Sequence, residues 1–278
     1  MKDRTQLPFL VRLLEDDSPD VRDSVLNELA SYGTELDDAL ASMGLKLTPE
    51  RARLVKAHII GKSRFGLRER WPEWTAVRGE KERLEAALIM LAEYMDNNAR
   101  PGLTTTLLDQ LAGEYSESAK TRNVRTLARF LFAVKKFSGA KEDYYEPQNS
   151  SLLYVLEERR GIPITLTCLY MLVGRRVGLT IEGCNFPGHF LALGYDEETP
   201  VVIDCFNGGL VIDDNLLARY LDPVSVTVEE LTRLKADTRT IVSRVLRNLI
   251  NAYRGGGDPD NAKLMNDLLA SMSGSREN

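Results

Sequence analysis

Apolar positions recur at helical spacing through most of the first half of the chain. Leu7, Leu10, Val11 and Leu14, then Val21, Val25, Leu26 and Leu29, mark two amphipathic helices. Between them Ser18 is a natural N-cap, Pro19 a natural first helical residue, and Asp20 stands favourably against the helix dipole. The pattern predicts a further helix over 47–61, opened by Thr48 and Pro49 and ending near Gly61. An irregular boundary segment over 62–79 follows, then helices over 80–96, 103–115 and 121–137. Beyond Gly139 a connection through Tyr144, Tyr145, Pro147 and Asn149 leads into a helix near 151–160. Gly161 and Pro163 then open another, running to Val177. Leu166, Leu169, Tyr170, Met171, Leu172 and Val173 surround that second helix, which predicts a position at the centre of the core.

After Gly178 the period falls to that of strands, over 179–186, 189–195, 201–206 and 210–212, and helices return over 229–254 and 259–270. The expected fold is α+β and predominantly helical, with a buried helix packed on a small antiparallel sheet. Three regions follow: an N-terminal helical region over 1–62, a core over 80–228, and a C-terminal helical hairpin over 229–278. The LL-x-DD-x-P-x-VR run near the start is like a HEAT-type hairpin, although no second copy follows at a period of about 40 residues.

Composition narrows the function classes. Apolar residues make up 43% and charged residues 28% of 278 positions, which suits a soluble globular chain. A net charge of −5 argues against a phosphate-neutralising surface, so nucleic acid is not the expected partner. No apolar run is long enough for a membrane span or a secretory core, and three cysteines, Cys168, Cys184 and Cys205, suit free thiols in a reducing compartment. The expectation is a cytoplasmic protein, off the membrane. With only His58 and His189, and no C-x-x-C pair, no zinc site of ordinary spacing can be drawn. No metal or other cofactor is expected, and His58 reads as a helix-surface or packed histidine.

RRGIPITL, NFPGHFL and IDCFNGG occur in order within Tyr144 to Gly209. In these motifs and their spacing the chain resembles the SirB-type branch of the transglutaminase-like superfamily, with weaker similarity reaching back to about Glu80. The segment NLINAYRGGGDPDNAKLMNDLL resembles the tetratricopeptide-like helices with which that branch often ends. The resemblance implies a papain-like arrangement. A cysteine at a helix N-terminus attacks an amide carbonyl, a strand histidine moves protons, and an aspartate on the next strand orients the histidine. His189 matches the histidine and Asp204 the aspartate. The superfamily's G-x-C motif, laid on Gly161 and Gly178, puts Pro163 where the cysteine should be.

Other side chains have to be weighed as nucleophiles. Cys168, five positions past Pro163, is turned by about 140° and set roughly 7.5 Å further along a helix, toward the core. Cys205 adjoins Asp204 on a strand and so faces the other way. Cys184 is a candidate because Pro187 and Gly188 can bend the strand between it and His189. Thr165 keeps a hydroxyl near the helix dipole. Ser150 and Ser151 read as helix caps, and Arg159 and Arg160 as cations complementing a helix C-terminus. The expected function is a catalytically inactive transglutaminase-like module that binds a protein or peptide. The alternative is an atypical amide-bond hydrolase or transglutaminase using Cys184 or Thr165 with His189 and Asp204.

Overall fold

The computed structural model describes residues 4–96, 100–186, 188–216 and 227–273. The chain divides into two compact units, with the break between Arg70 and Trp71. In the first unit, α1 (Leu7–Leu13) and α2 (Pro19–Ala30) are followed by α3 (Leu36–Ser42) and α4 (Pro49–Arg70). Their apolar stripes close on one another around Leu7, Val11, Val25, Leu29, Leu40 and Val55. The α4 helix corrects the expectation of a stop near Gly61. Gly61 and Gly66 sit in its interior with nothing within 4 Å of where a side chain would stand. An interior helical glycine costs about 1 kcal/mol relative to alanine, too little to end a helix that buries both Val55 and Leu67.

The second unit opens with α5 (Glu73–Ala76), α6 (Glu80–Met95) and α7 (Leu103–Ser118). Two pieces then stand where a single helix over 121–137 was expected. Asn123 and Thr126 form a capping box that starts α8 (Val124–Ala128), which passes directly into a π-helical turn over Arg129–Val134. Lys135 N closes that turn on Phe130 O at 2.8 Å. Short parallel strands β1 (Ser138–Gly139) and β2 (Arg160–Gly161) flank α9 (Leu152–Glu158). After β2 comes α10 (Pro163–Arg176), buried at every position from Pro163 to Gly174.

The main sheet packs on α10 and runs β6 (Leu210–Ile212), β5 (Thr199–Asp204), β4 (Leu191–Asp196), β3 (Ile181–Cys184) and β7 (Lys235–Ala236), antiparallel throughout. Side-chain alternation gives it two faces. Ile181 lies on the α10 side, where a side chain on Gly174 would stand 2.5 Å from Ile181 Cδ1, so only glycine lets helix and sheet approach this closely. Cys184, Leu191, Leu193, Val202 and Ile212 make the other face and are covered by Leu231 of α11 (Val228–Leu231). The α+β expectation holds: a buried helix on a small antiparallel sheet within a mainly helical chain.

The single helix expected over 229–254 is broken. After α11 and a 3-10 turn, β7 pairs with the β3 edge, where Lys235 forms an ion pair with Glu182 at 2.6 Å. Asp237 then caps α12 (Thr238–Gly255) by accepting from Thr240 N at 2.7 Å. The apolar stripe of α12, Ile241, Val245, Leu246 and Leu249, packs on α6 and on α13 (Pro259–Ser273). A half-buried ion-pair cluster fixes the far end of α10: Arg175 and Arg176 both reach Glu85 of α6, at 2.8 and 2.7 Å. Asp109 of α7 accepts from Arg176 at 2.5 Å. Among the described residues no helix is long and apolar enough to cross a membrane.

Candidate functional site

His189 ends a tight turn before β4, its N–H donating to Phe186 O at 3.2 Å. Arg244 of α12 holds that turn from behind, donating to Asn185 Oδ1 at 2.5 Å, Phe186 O at 3.3 Å and His189 O at 2.9 Å. Its guanidinium also lies over the Phe190 ring, and burial lowers its pKa. The backbone of the histidine is therefore fixed by a residue distant in sequence. Arg244 is a site residue that the sequence reading missed, although an arginine three positions past Ile241, at the edge of the buried stripe, was the available signal.

Across the sheet, Asp204 is fully buried, and its Oδ2 lies 3.0 Å from His189 Nε2. Oδ1 accepts from Phe206 N at 3.0 Å and Asn207 N at 3.1 Å, while Oδ2 accepts from Asn207 Nδ2 at 2.7 Å. Burial by itself would raise the carboxyl pKa. The hydrogen bonds from His189 and Asn207 and the histidine's charge outweigh it, so the group lies below the usual aspartate value of 3.8. The carboxylate, 3.0 Å from Nε2, holds that edge of the imidazole. The structure thus brings His189 and Asp204 together.

The nucleophile candidates are placed elsewhere. Cys184 lies in the apolar cluster under Leu231, its thiol donating to Leu231 O at 3.6 Å, and burial pushes its pKa up to about 11. Thr165 is fully buried in the first turn of α10, with no hydrogen-bond partner for its hydroxyl. Neither is hydrogen-bonded to the His189 ring. Cys168 is buried inside α10 with its pKa pushed to about 12. Burial also drives the Cys205 thiol strongly upward, more than Thr167 of α10 lowers it. Pro163 is the first residue of α10 and is buried, contributing neither an N–H nor a nucleophile.

Contacts run from the start of α10 toward His189. Gly139 is the cross-strand partner of Gly161, two residues before Pro163. A side chain on Gly139 would stand 2.6 Å from the Phe206 ring, and that ring meets His189 edge to face at 6.2 Å. Close approach through a bare backbone sets Phe206 against the imidazole. The remaining residues singled out from sequence have local roles. Ser151 caps α9, Arg159 ends it in a left-handed conformation with φ 59°, and Arg160 lies exposed in β2. Asn149 Nδ2 donates to Asp143 O at 2.5 Å, and His58 bonds to Asn27 at 3.0 Å on the N-terminal unit. Among the described residues no group of His, Cys, Asp and Glu is disposed to hold a metal ion.

A helix starting beside a two-stranded ladder, packed on an antiparallel sheet whose neighbouring strands pair a histidine with a buried aspartate, defines a papain-like class of site. The sequence comparisons agree. A family model described as the transglutaminase-like superfamily matches residues 103–247, which span the whole site, and the chain belongs to that superfamily. It is 32% identical over 208 residues to a UPF0162 protein of Xylella fastidiosa, covering 67% of this chain and 70% of that protein. A UPF0162 protein of Vibrio cholerae is 32% identical over 110 residues, 39% of this chain and 40% of that one. The human F-box only protein 21 is 36% identical over 150 residues, half of this chain but only 23% of that larger one. No solved structure matches.

Proposed function

We propose that this chain is a SirB-type member of the superfamily that binds a protein or peptide segment, in a cleft that this reading places beside His189, without cleaving or transferring its amide bonds. One observation carries the reading: α10 begins on Pro163, the residue that the motif resemblance sets at the position of the superfamily's cysteine, and every cysteine of the chain is buried. A nucleophilic thiol must ionise near neutral pH and reach the acceptor nitrogen of the imidazole. Thiols raised to about 11 and 12, one of them donating to a backbone carbonyl, do neither. The His189–Asp204 pair then serves as a rigid polar wall of the cleft. The match to under a quarter of F-box only protein 21 adds that a region of this kind also occurs as one part of a larger chain.

The reading is tested by capture from a lysate of the source cells, using tagged wild-type chain and His189→Ala side by side. The same set of bound proteins is expected from both, with no change in their mass on incubation. A bound protein that is shortened or cross-linked by the wild type, and untouched by His189→Ala, would overturn the proposal.

A further inference from the structure

Outside the dyad, the least expected surface feature is the turn Asp143–Glu146, closed by Glu146 N donating to Asp143 O at 3.0 Å. Its two corner positions hold Tyr144 and Tyr145, where turns ordinarily use Gly, Pro, Asn, Asp or Ser. Tyr145 is 75% exposed, the most exposed large apolar side chain among the described residues of the second unit. The turn does not bury these rings to stabilise itself. It is held from below, because Asp143 O also accepts from Asn149 Nδ2, and Asn149 is buried at the foot of β2. A rigidly mounted, solvent-facing aromatic pair needs a reason outside the fold.

The rings form a continuous series into the site. Tyr145 meets Tyr144 edge to face at 5.2 Å, Tyr144 meets Phe206 at 5.9 Å, and Phe206 meets His189 at 6.2 Å. The outer end of the series is acidic in sequence: Glu142, Asp143 and Glu146 flank the tyrosines, with Lys141 the cation of that stretch, and all are exposed. The inner end has both signs in balance: Arg244 holds the carbonyls of the histidine turn on one side, and the Asp204 carboxylate lies 3.0 Å from the His189 ring on the other. A ligand lying along the series meets exposed carboxylates beside aromatic faces at one end and a charge-paired site at the other. A cation is favoured over aromatic faces and near unpaired carboxylates.

We propose that the Tyr144–Tyr145 turn is the docking ledge for an extended peptide segment, seating an arginine or lysine side chain at the outer acidic end and directing the following neutral residues along Phe206 toward His189. This rests on the cleft-binding reading above and adds its polarity and the class of side chain recognised. Arginine is the better fit of the two cations, since its planar group stacks on a ring while its N–H groups reach carboxylates.

The test uses the full chain and three small probes, N-acetyl-arginine amide, N-acetyl-leucine amide and N-acetyl-glutamate amide, titrated into isotopically labelled protein and followed by NMR. The arginine probe is expected to shift the Tyr144 and Tyr145 ring signals saturably, at least five-fold more tightly than leucine, with no saturable response to glutamate. Tyr145→Ser and, separately, Glu142→Gln with Glu146→Gln are each expected to weaken the arginine probe about five-fold or more. Both sets are on the surface and leave the fold unchanged, which the spectra of the unliganded variants check directly. Equal responses to arginine and glutamate, or unchanged arginine binding in both variants, would overturn the ledge. If the ledge fails while lysate capture by wild type and His189→Ala stays the same, the cleft-binding reading survives with another docking surface.

Discussion

Replacing Asp204 by Asn tests how the candidate site is held together. The carboxylate is fully buried, accepts from Phe206 N, Asn207 N and Asn207 Nδ2, and lies 3.0 Å from His189 Nε2. Asparagine keeps one oxygen for the two backbone donors but turns an N–H₂ group toward Asn207 Nδ2 and His189 Nε2. Each charge-assisted hydrogen bond contributes about 1.5–3 kcal/mol. Relief from burying a charge, together with a flip of Asn207 and a tautomer change at His189, returns part of what the two lost bonds supplied. The net loss comes to about 2–4 kcal/mol, a fall of roughly 5–12 °C in the melting of the larger unit. The pH dependence supplies the sharper signature. Because the folded carboxyl lies below its usual value, its contribution is fully present above that value and disappears as pH falls through the folded one. Urea unfolding of both proteins from pH 7 to pH 2 should show the gap holding down to about pH 4 and closing below it. A gap under about 0.5 kcal/mol at pH 7, or one that persists unchanged at pH 2, would refute the described network.

Other expectations follow from the same contacts. Gly174→Val, which drives a side chain into Ile181, should destabilise the larger unit by about 3 kcal/mol or more in urea unfolding, while Gly66→Ala in α4 should stabilise by about 0.5–1 kcal/mol. Arg244→Met removes the guanidinium from the Phe190 ring and releases the histidine turn. It should lower stability by about 1–2 kcal/mol and raise hydrogen exchange at His189 and Phe190. Pro163→Cys installs a thiol at the first position of α10. Its iodoacetamide reactivity at pH 7 should exceed that of every native cysteine by ten-fold or more and drop when His189→Ala is added. An unreactive Cys at 163 in a folded protein would show that Pro163 does not occupy the nucleophile position.

Much of this architecture was legible because the strongest signals are local. The all-round apolar run Leu166–Val173 could only be a central helix, and strand periodicity marked the four longer strands of the sheet, with ends adjusted by the tight turn at Glu197 and Glu198. Signals depending on distant partners were not legible. The two-residue strands β1, β2 and β7 have no period to detect and exist only through their pairing. The helix expected to stop at Gly61 continues because burial of Leu67 outweighs a small glycine cost. At the site, the motif matched to the family named His189, Asp204 and Pro163, whereas Arg244 had only its place beside an apolar stripe to mark it, and the support from Asn207 and Phe206 emerges when the chain closes on itself.

The central claim, that a histidine and aspartate are poised here without a nucleophile, is tested most directly by thiol labelling of the native wild-type protein. A fluorescent iodoacetamide at pH 7, followed by intact mass and peptide mapping, should leave Cys168, Cys184 and Cys205 unmodified until the chain is unfolded in urea, where all three react. Rapid stoichiometric labelling of one cysteine in the folded protein, lost in His189→Ala, would contradict the account.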